Sequence, residues 1–199
     1  MNERYDAVPV TYDGIAFRSV TEARWAVFFS ALRIPYQYEK PILSPFGDVI
    51  YRPDFYIPRF DTYFEVKPRS YEVVKHEIFK PLVFASYHKI ALCYGPPAQG
   101  SIIPLGSFAP NECGGPEYGV FPYQDVMQMM AEDATNRFSF LRDRRKLGFW
   151  IGTTDDRSWL YFPLDKGEMI HWDRDPLPCE VIEEAVRKSE EAVFSEVQA

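Results

Sequence analysis

Residues 51–68, YRPDFYIPRFDTYFEVKP, constrain the fold more than any other stretch of the chain. Two short runs, residues 49–57 and 62–66, are rich in aromatic and β-branched side chains, and the turn-prone Pro58-Arg59-Phe60-Asp61 separates them. That pattern predicts a β-hairpin with a longer loop. Successive strand side chains point to opposite faces, so Glu65 and Lys67 share one face while Phe64 and Val66 turn to the other. Asp54 lies in the first strand. A cation and two carboxylates therefore converge on one side of an apolar ribbon.

Such a set has a chemical use. Mg²⁺ prefers hard oxygen ligands, takes one or two protein carboxylates and keeps positions for water and a substrate phosphate. Asp54 and Glu65 can supply that pair. Lys67 can stabilise charge developing on a phosphate, or orient and help deprotonate an attacking water. A plainer reading is a solvated sheet face carrying an Asp–Lys or Glu–Lys cross-strand pair. The flanking Pro53, Phe55, Phe64, Val66 and Pro68 speak against it, because unpaired carboxylates among bulky apolar neighbours are costly.

Helix and strand signals alternate around this hairpin. Residues 8–17 form a small ribbon about Asp13-Gly14, a two-residue turn signal. Ser19 and Glu22 fit a capping box, after which Trp25, Ala26, Phe28, Phe29 and Leu32 give a wide buried helix face that ends near Arg33. The capping box by itself accounts for Glu22. Residues 35–43 read as the first core strand, with Glu39, the rival carboxylate nearest the pair, as a strand-face residue. After Pro68, Ser70 suits an N-cap, and Val74, Ile78, Leu82 and Ala85 recur at helical spacing, with Pro81 either kinking the helix or restarting it. Residues 89–94, KIALCY, form a short apolar run fit for a buried strand beside the hairpin.

This order of helix, three strands, helix and strand, with Pro53-Asp54, ten residues, then Glu65-Val66-Lys67, resembles the PD-(D/E)XK nuclease superfamily. Its members include restriction endonucleases, Holliday-junction resolvases and transposon end-cleaving nucleases. The resemblance covers residues 17–95. It implies an α/β fold with a restriction-endonuclease-like αβββαβ core and a mixed central sheet. It implies that Asp54 and Glu65 ligate Mg²⁺, which Mn²⁺ can replace, that the Val66 carbonyl joins them, and that Lys67 serves the nucleophilic water. Glu22, in the stretch SVTEARWA, is then a further member of the site. In the resembled fold the second helix borders the cleft, which makes Lys75 and His76 candidate DNA contacts. Arg24 is a candidate phosphate or structural contact. The expected activity is hydrolysis of DNA phosphodiester bonds, leaving a 5′-phosphate and a 3′-hydroxyl.

With 199 residues, 46% of them hydrophobic and 17% aromatic, the chain suffices for one substantial domain or one domain with a large appendage. No apolar run reaches membrane-span length, and MNERYDAVPV has no basic region followed by an apolar core, so a cytoplasmic protein is expected. Cys93, Cys113 and Cys179 show no C-x-x-C pair and read as reduced and structural. Net charge is −7, but residues 1–95 hold 12 Lys/Arg against 11 Asp/Glu while residues 96–199 hold 10 against 18, so the acidity belongs to the second half. A near-neutral nuclease core can still present a basic rim, though strong non-specific DNA affinity is not expected.

The boundaries that follow are residues 1–95 as the nuclease-like core, 96–117 as a Gly/Pro-rich linker or arm without a lasting regular element, and 118–199 as an acidic α+β extension. Within the extension, a short helix is expected around residues 124–135. The runs GFWIG and SWLYFPL should then form a ribbon turning at residues 154–157. Arg142, Arg144, Arg145 and Lys146 beside Phe149 and Trp150 form either a grip on phosphates and bases or a face paired with the acidic remainder. From Pro178 onward an acidic amphipathic helix packs on the body or binds a protein partner. A homodimer is compatible with double-strand cleavage. Two rivals stand beside the nuclease: a nuclease-fold binding or inhibitory protein of a mobile element, and a nuclease subunit active only with a partner.

Overall fold

Asp13 and Gly14 both take positive φ, 49° and 75°, the geometry that a two-residue type I′ hairpin demands. They join β1 (Val10–Tyr12) to β2 (Ile15–Phe17), which pair antiparallel. The structure is a computed structural model that describes residues 8–43, 47, 50–58, 61–67, 77–85, 87–97, 101–110, 116–120, 137–143, 146–152, 159–162 and 180–197. Ser19 caps the next element, α1 (Val20–Ala31), its hydroxyl accepting from the Glu22 amide. At the other end the amides of Arg33 and Ile34 reach back to the Ser30 and Phe29 carbonyls, a Schellman closure with Arg33 at φ 56°.

The chain then builds β3 (Gln37–Tyr38), β4 (Ile42–Leu43), β5 (Ile50–Tyr51), β6 (Phe55–Ile57) and β7 (Thr62–Lys67). It continues with α2 (Phe79–Ala85), β8 (Ile90–Tyr94) and β9 (Ser101–Pro104). Strands β3, β6, β7, β8 and β9 form one sheet in that order. Only β7 and β8 run parallel, with Glu65 opposite Leu92 and Val66 opposite Cys93, so the sheet is mixed and the fold is α/β.

Three expectations need correction. The strand over residues 35–43 is broken: Glu39 turns at φ 50°, β3 stays in the main sheet, and β4 leaves it to pair with β5. The run 49–57 splits as well, into β5 and β6, around Arg52-Pro53-Asp54, where Pro53 has no N–H to give a ladder. The Gly/Pro-rich stretch after residue 95 does hold regular structure. Its β9 extends the main sheet, and β10 (Gly106–Pro110) pairs with β11 (Pro116–Val120). Prolines at the edge of a sheet cost no interior hydrogen bond, which is how Pro104 is accommodated. Pro81 lies in the first turn of α2, where its missing N–H is harmless.

Two apolar layers flank the sheet. Toward α1, Phe17, Trp25, Phe28, Phe29, Phe55 and Phe64 form one buried cluster; toward α2, Tyr51, Tyr63, Ile78, Leu82 and Leu92 belong to another. Beyond β11 lie β12 (Arg137–Asp143), β13 (Lys146–Gly152) and β14 (Trp159–Phe162), an antiparallel sheet that contains the expected aromatic ribbon. The final helix, α3 (Glu180–Glu191), packs on α1 through Ala185 and Val186, and β15 (Ser195–Glu196) pairs with β1. Covered by the sheet on one side and α3 on the other, α1 is apolar around most of its circumference. No described helix is long and apolar enough to cross a membrane. The Ser70 cap, Lys75, His76, Arg144, Arg145, the helix around 124–135 and the turn at 154–157 lie outside the described residues.

Candidate active site

Asp54 stands in the bend that Pro53 forces just before β6, and it is 2% exposed. Its backbone carbonyl accepts from the Glu39 amide, 2.9 Å, which ties the broken first strand to the site. Its side chain reaches across the hairpin, where Oδ2 accepts from the Val66 amide at 2.6 Å. The carboxylate so replaces a ladder partner, and Val66 serves the site through its amide.

Glu65 and Lys67 leave β7 on the side of Tyr63, as strand alternation requires. Lys67 Nζ lies 2.9 Å from Glu65 Oε1 and 2.9 Å from Glu77 Oε2. The second Glu65 oxygen, Oε2, and the Tyr51 hydroxyl are both buried and lie beside each other, close enough for the carboxylate to push the phenol pKa up but outside good hydrogen-bond geometry. Burial works to lower the Lys67 pKa, but Glu65 and Glu77 outweigh it and raise the value above that of a free lysine. Lys67 is thus a fixed cation. It can donate a hydrogen bond and offset negative charge at a phosphate or an attacking oxygen.

Glu22 forms the expected capping box, and its carboxylate lies near Asp54. Its amide donates to Ser19 Oγ at 3.2 Å and its Oε1 accepts from the same hydroxyl at 2.8 Å, while Oε2 accepts from the Arg18 amide at 3.2 Å and from the Tyr38 hydroxyl at 2.6 Å. This is a helix cap whose carboxylate is also buried near Asp54. Burial raises the Asp54 pKa well above the ordinary carboxylate value, and repulsion from Glu65 and then Glu22 adds to it. The Val66 amide and Arg18 act in the opposite direction and do not win.

Arg18 is the group that sequence reasoning missed. From the end of the β1–β2 hairpin its guanidinium pairs with Asp54 Oδ1, lies 3.1 Å from Glu39 Oε1 and 4.0 Å from Glu22 Oε2. Glu39 is therefore a rim residue of the site rather than an idle strand position. One signal was available in the sequence. Three buried carboxylates need a counter-cation, and Arg18 immediately precedes the capping box. Arg24, by contrast, is half-buried with Nε unpartnered, and forms no ion pair with these carboxylates among the described residues.

The donor set fits a hard divalent cation at the level of two carboxylates. Asp54 and Glu65 are close enough to repel, and Glu65 offers a second oxygen besides the one on Lys67. Among the described residues, no group of three or more His, Cys, Asp or Glu is gathered tightly enough to form a complete protein cage. Compared with protein-family models, curated proteins and solved structures, the chain matches none.

Proposed function

We propose that the chain is a Mg²⁺-dependent DNA endonuclease built on a restriction-endonuclease-like αβββαβ core of the PD-(D/E)XK type. One observation carries this reading: Asp54 and Glu65 are buried within repelling distance of each other, with Lys67 on Glu65. Like charges held together out of water are costly, and a divalent ion offsets that cost. The order α1, β3, β6, β7, α2, β8 and the mixed sheet support the core.

Asp54 and Glu65, with the Val66 carbonyl, would hold the ion, which supplies an acidified water and charge neutralisation at the phosphate. Glu22 would orient water from the cap of α1. Lys67, as a cation, would donate to the phosphate or to the attacking oxygen. Arg24, Lys75, His76, Arg144 and Arg145 are the proposed DNA contacts, and the acidic second half is the side proposed to face a protein partner or a second copy.

A second reading, a binding module on the same scaffold, is favoured by one feature. Arg18 and Lys67 already neutralise the carboxylates from within. The deciding experiment incubates the purified protein, Asp54→Ala and Lys67→Ala with supercoiled plasmid and circular single-stranded DNA in Mg²⁺, Mn²⁺ or EDTA. Metal-dependent nicking lost in both variants is expected. Folded protein that neither cuts nor binds metal would instead be the binding module, and cleavage appearing only with an added ATPase or recombinase would identify a subunit.

A further inference from the structure

We propose that Arg18 is a built-in competitor of the divalent ion: its guanidinium holds the Asp54 carboxylate in the metal-free protein and gives it up, keeping Glu39, when the ion enters. The inference rests on the metal reading above. Three observations carry it.

First, the guanidinium meets acidic groups from three separate elements, Asp54 before β6, Glu22 on α1 and Glu39 after β3. A small group of positive charge placed among convergent carboxylates is what an ion would also be. Two cations cannot share the Asp54 Oδ1 edge without repulsion, so an ion using that oxygen excludes Arg18 from it.

Second, Arg18 is placed to leave. Its side chain is 57% exposed while that of Asp54 is 2% exposed, so it enters the site from solvent rather than through the core. Lys67, the other cation, is 14% exposed and clamped between Glu65 and Glu77. Displacement therefore falls on the arginine.

Third, only the side chain needs to move. The Arg18 amide is pinned by Glu22 Oε2 and by the Tyr38 hydroxyl at 3.1 Å, and Ser19 behind it caps α1. Glu39 lies on the more open side, with its side chain 34% exposed, and keeps a partner for the guanidinium after Asp54 is given up. The positive φ of Glu39 aims that carboxylate back toward Arg18 instead of along the strand.

The test measures Mn²⁺ binding by calorimetry in wild type, Arg18→Gln and Asp54→Asn, with no DNA present. Arg18→Gln is expected to bind Mn²⁺ about tenfold more tightly than wild type, the scale of one lost competing charge, while Asp54→Asn loses binding. Equal or weaker affinity in Arg18→Gln, with wild type still binding, overturns the competition and leaves the nuclease reading standing. No binding in wild type or Arg18→Gln overturns both. Because removing Arg18 can unsettle the fold, the wild type is also followed by NMR of the Arg18 Nε–Hε group during Mg²⁺ titration. A saturable shift that is absent in Asp54→Asn is expected; an unchanged signal at metal saturation overturns the proposal.

Discussion

The two faces of the five-stranded sheet both bury apolar side chains, but β7 places its charged pair on only one of them. Toward α1 the aromatic rings of Trp25, Phe28, Phe29, Phe55 and Phe64 meet edge-on or tilted at centroid distances of 5.4–5.9 Å, and the Trp25 indole donates to the Gly95 carbonyl at 2.9 Å. Toward α2 the same strands carry Glu65 and Lys67, and the Tyr51 hydroxyl is buried beside Glu65. The α1 cluster is aromatic at its centre, whereas the α2 side sets an ion pair of Lys67 with Glu65 and Glu77 beside its apolar cluster. A sheet can carry such a pair because each strand alternates, so the apolar side chains supply stability that the charged pair spends on electrostatics.

If that division holds, truncating the α1 face should cost stability and leave chemistry alone. Phe29→Ala, which removes a fully buried ring from the centre of the α1 cluster, is expected to destabilise by about 3–5 kcal/mol in urea unfolding. The complementary change is Glu65→Gln. It should reduce metal-dependent cleavage by about a hundredfold or more while leaving the urea midpoint close to wild type. A large loss of stability there would mean that the charged pair is structural after all.

Asp54 sharpens the comparison through pH. Its folded pKa is raised, so in EDTA the folded protein binds the proton more strongly than the unfolded chain does, and this contribution to stability falls as pH rises from the ordinary carboxylate value through the raised one. Asp54→Asn, which keeps an acceptor for the Val66 amide, is expected to be more stable than wild type at neutral pH. That advantage should shrink as pH falls toward 4, an ordinary carboxylate value. Thermal melts across pH measure it, and a gap that widens toward acid contradicts the assignment. The smallest effect is expected for Tyr51→Phe: a hydroxyl held beside Glu65 outside good hydrogen-bond geometry contributes little, so urea unfolding should shift by within about 1 kcal/mol.

Much of the α1 side was legible because its signals are local. Asp13-Gly14 dictates a turn by backbone sterics, Ser19 and Glu22 cap a helix three residues apart, and residues 89–94 have no polar side to expose. The site was legible only as far as strand alternation reaches, which gives Glu65 and Lys67 a common face. Arg18 and Glu39 were not readable this way. Their meeting depends on a left-handed turn at Glu39, a non-glycine residue, and on two segments brought together across the sheet edge. The strand β9 was hidden for a different reason. Glycine and proline frequencies mark turns, but an edge strand tolerates them when a neighbour such as β8 supplies the ladder.

Val10 pairs with Glu196, 186 positions later, and the Val197 amide adds a bond to the Pro9 carbonyl. During synthesis the first strand of the chain must therefore wait for nearly everything that follows before its outer edge is covered. The β1–β2 hairpin can close on its own turn, but the outer edge of β1 stays uncovered while the residues behind it, including Asp54, Glu65 and Lys67, have already been made. Closure across so long a stretch is slow relative to local folding, so the β6–β7 hairpin can form before the outer edge of β1 is covered.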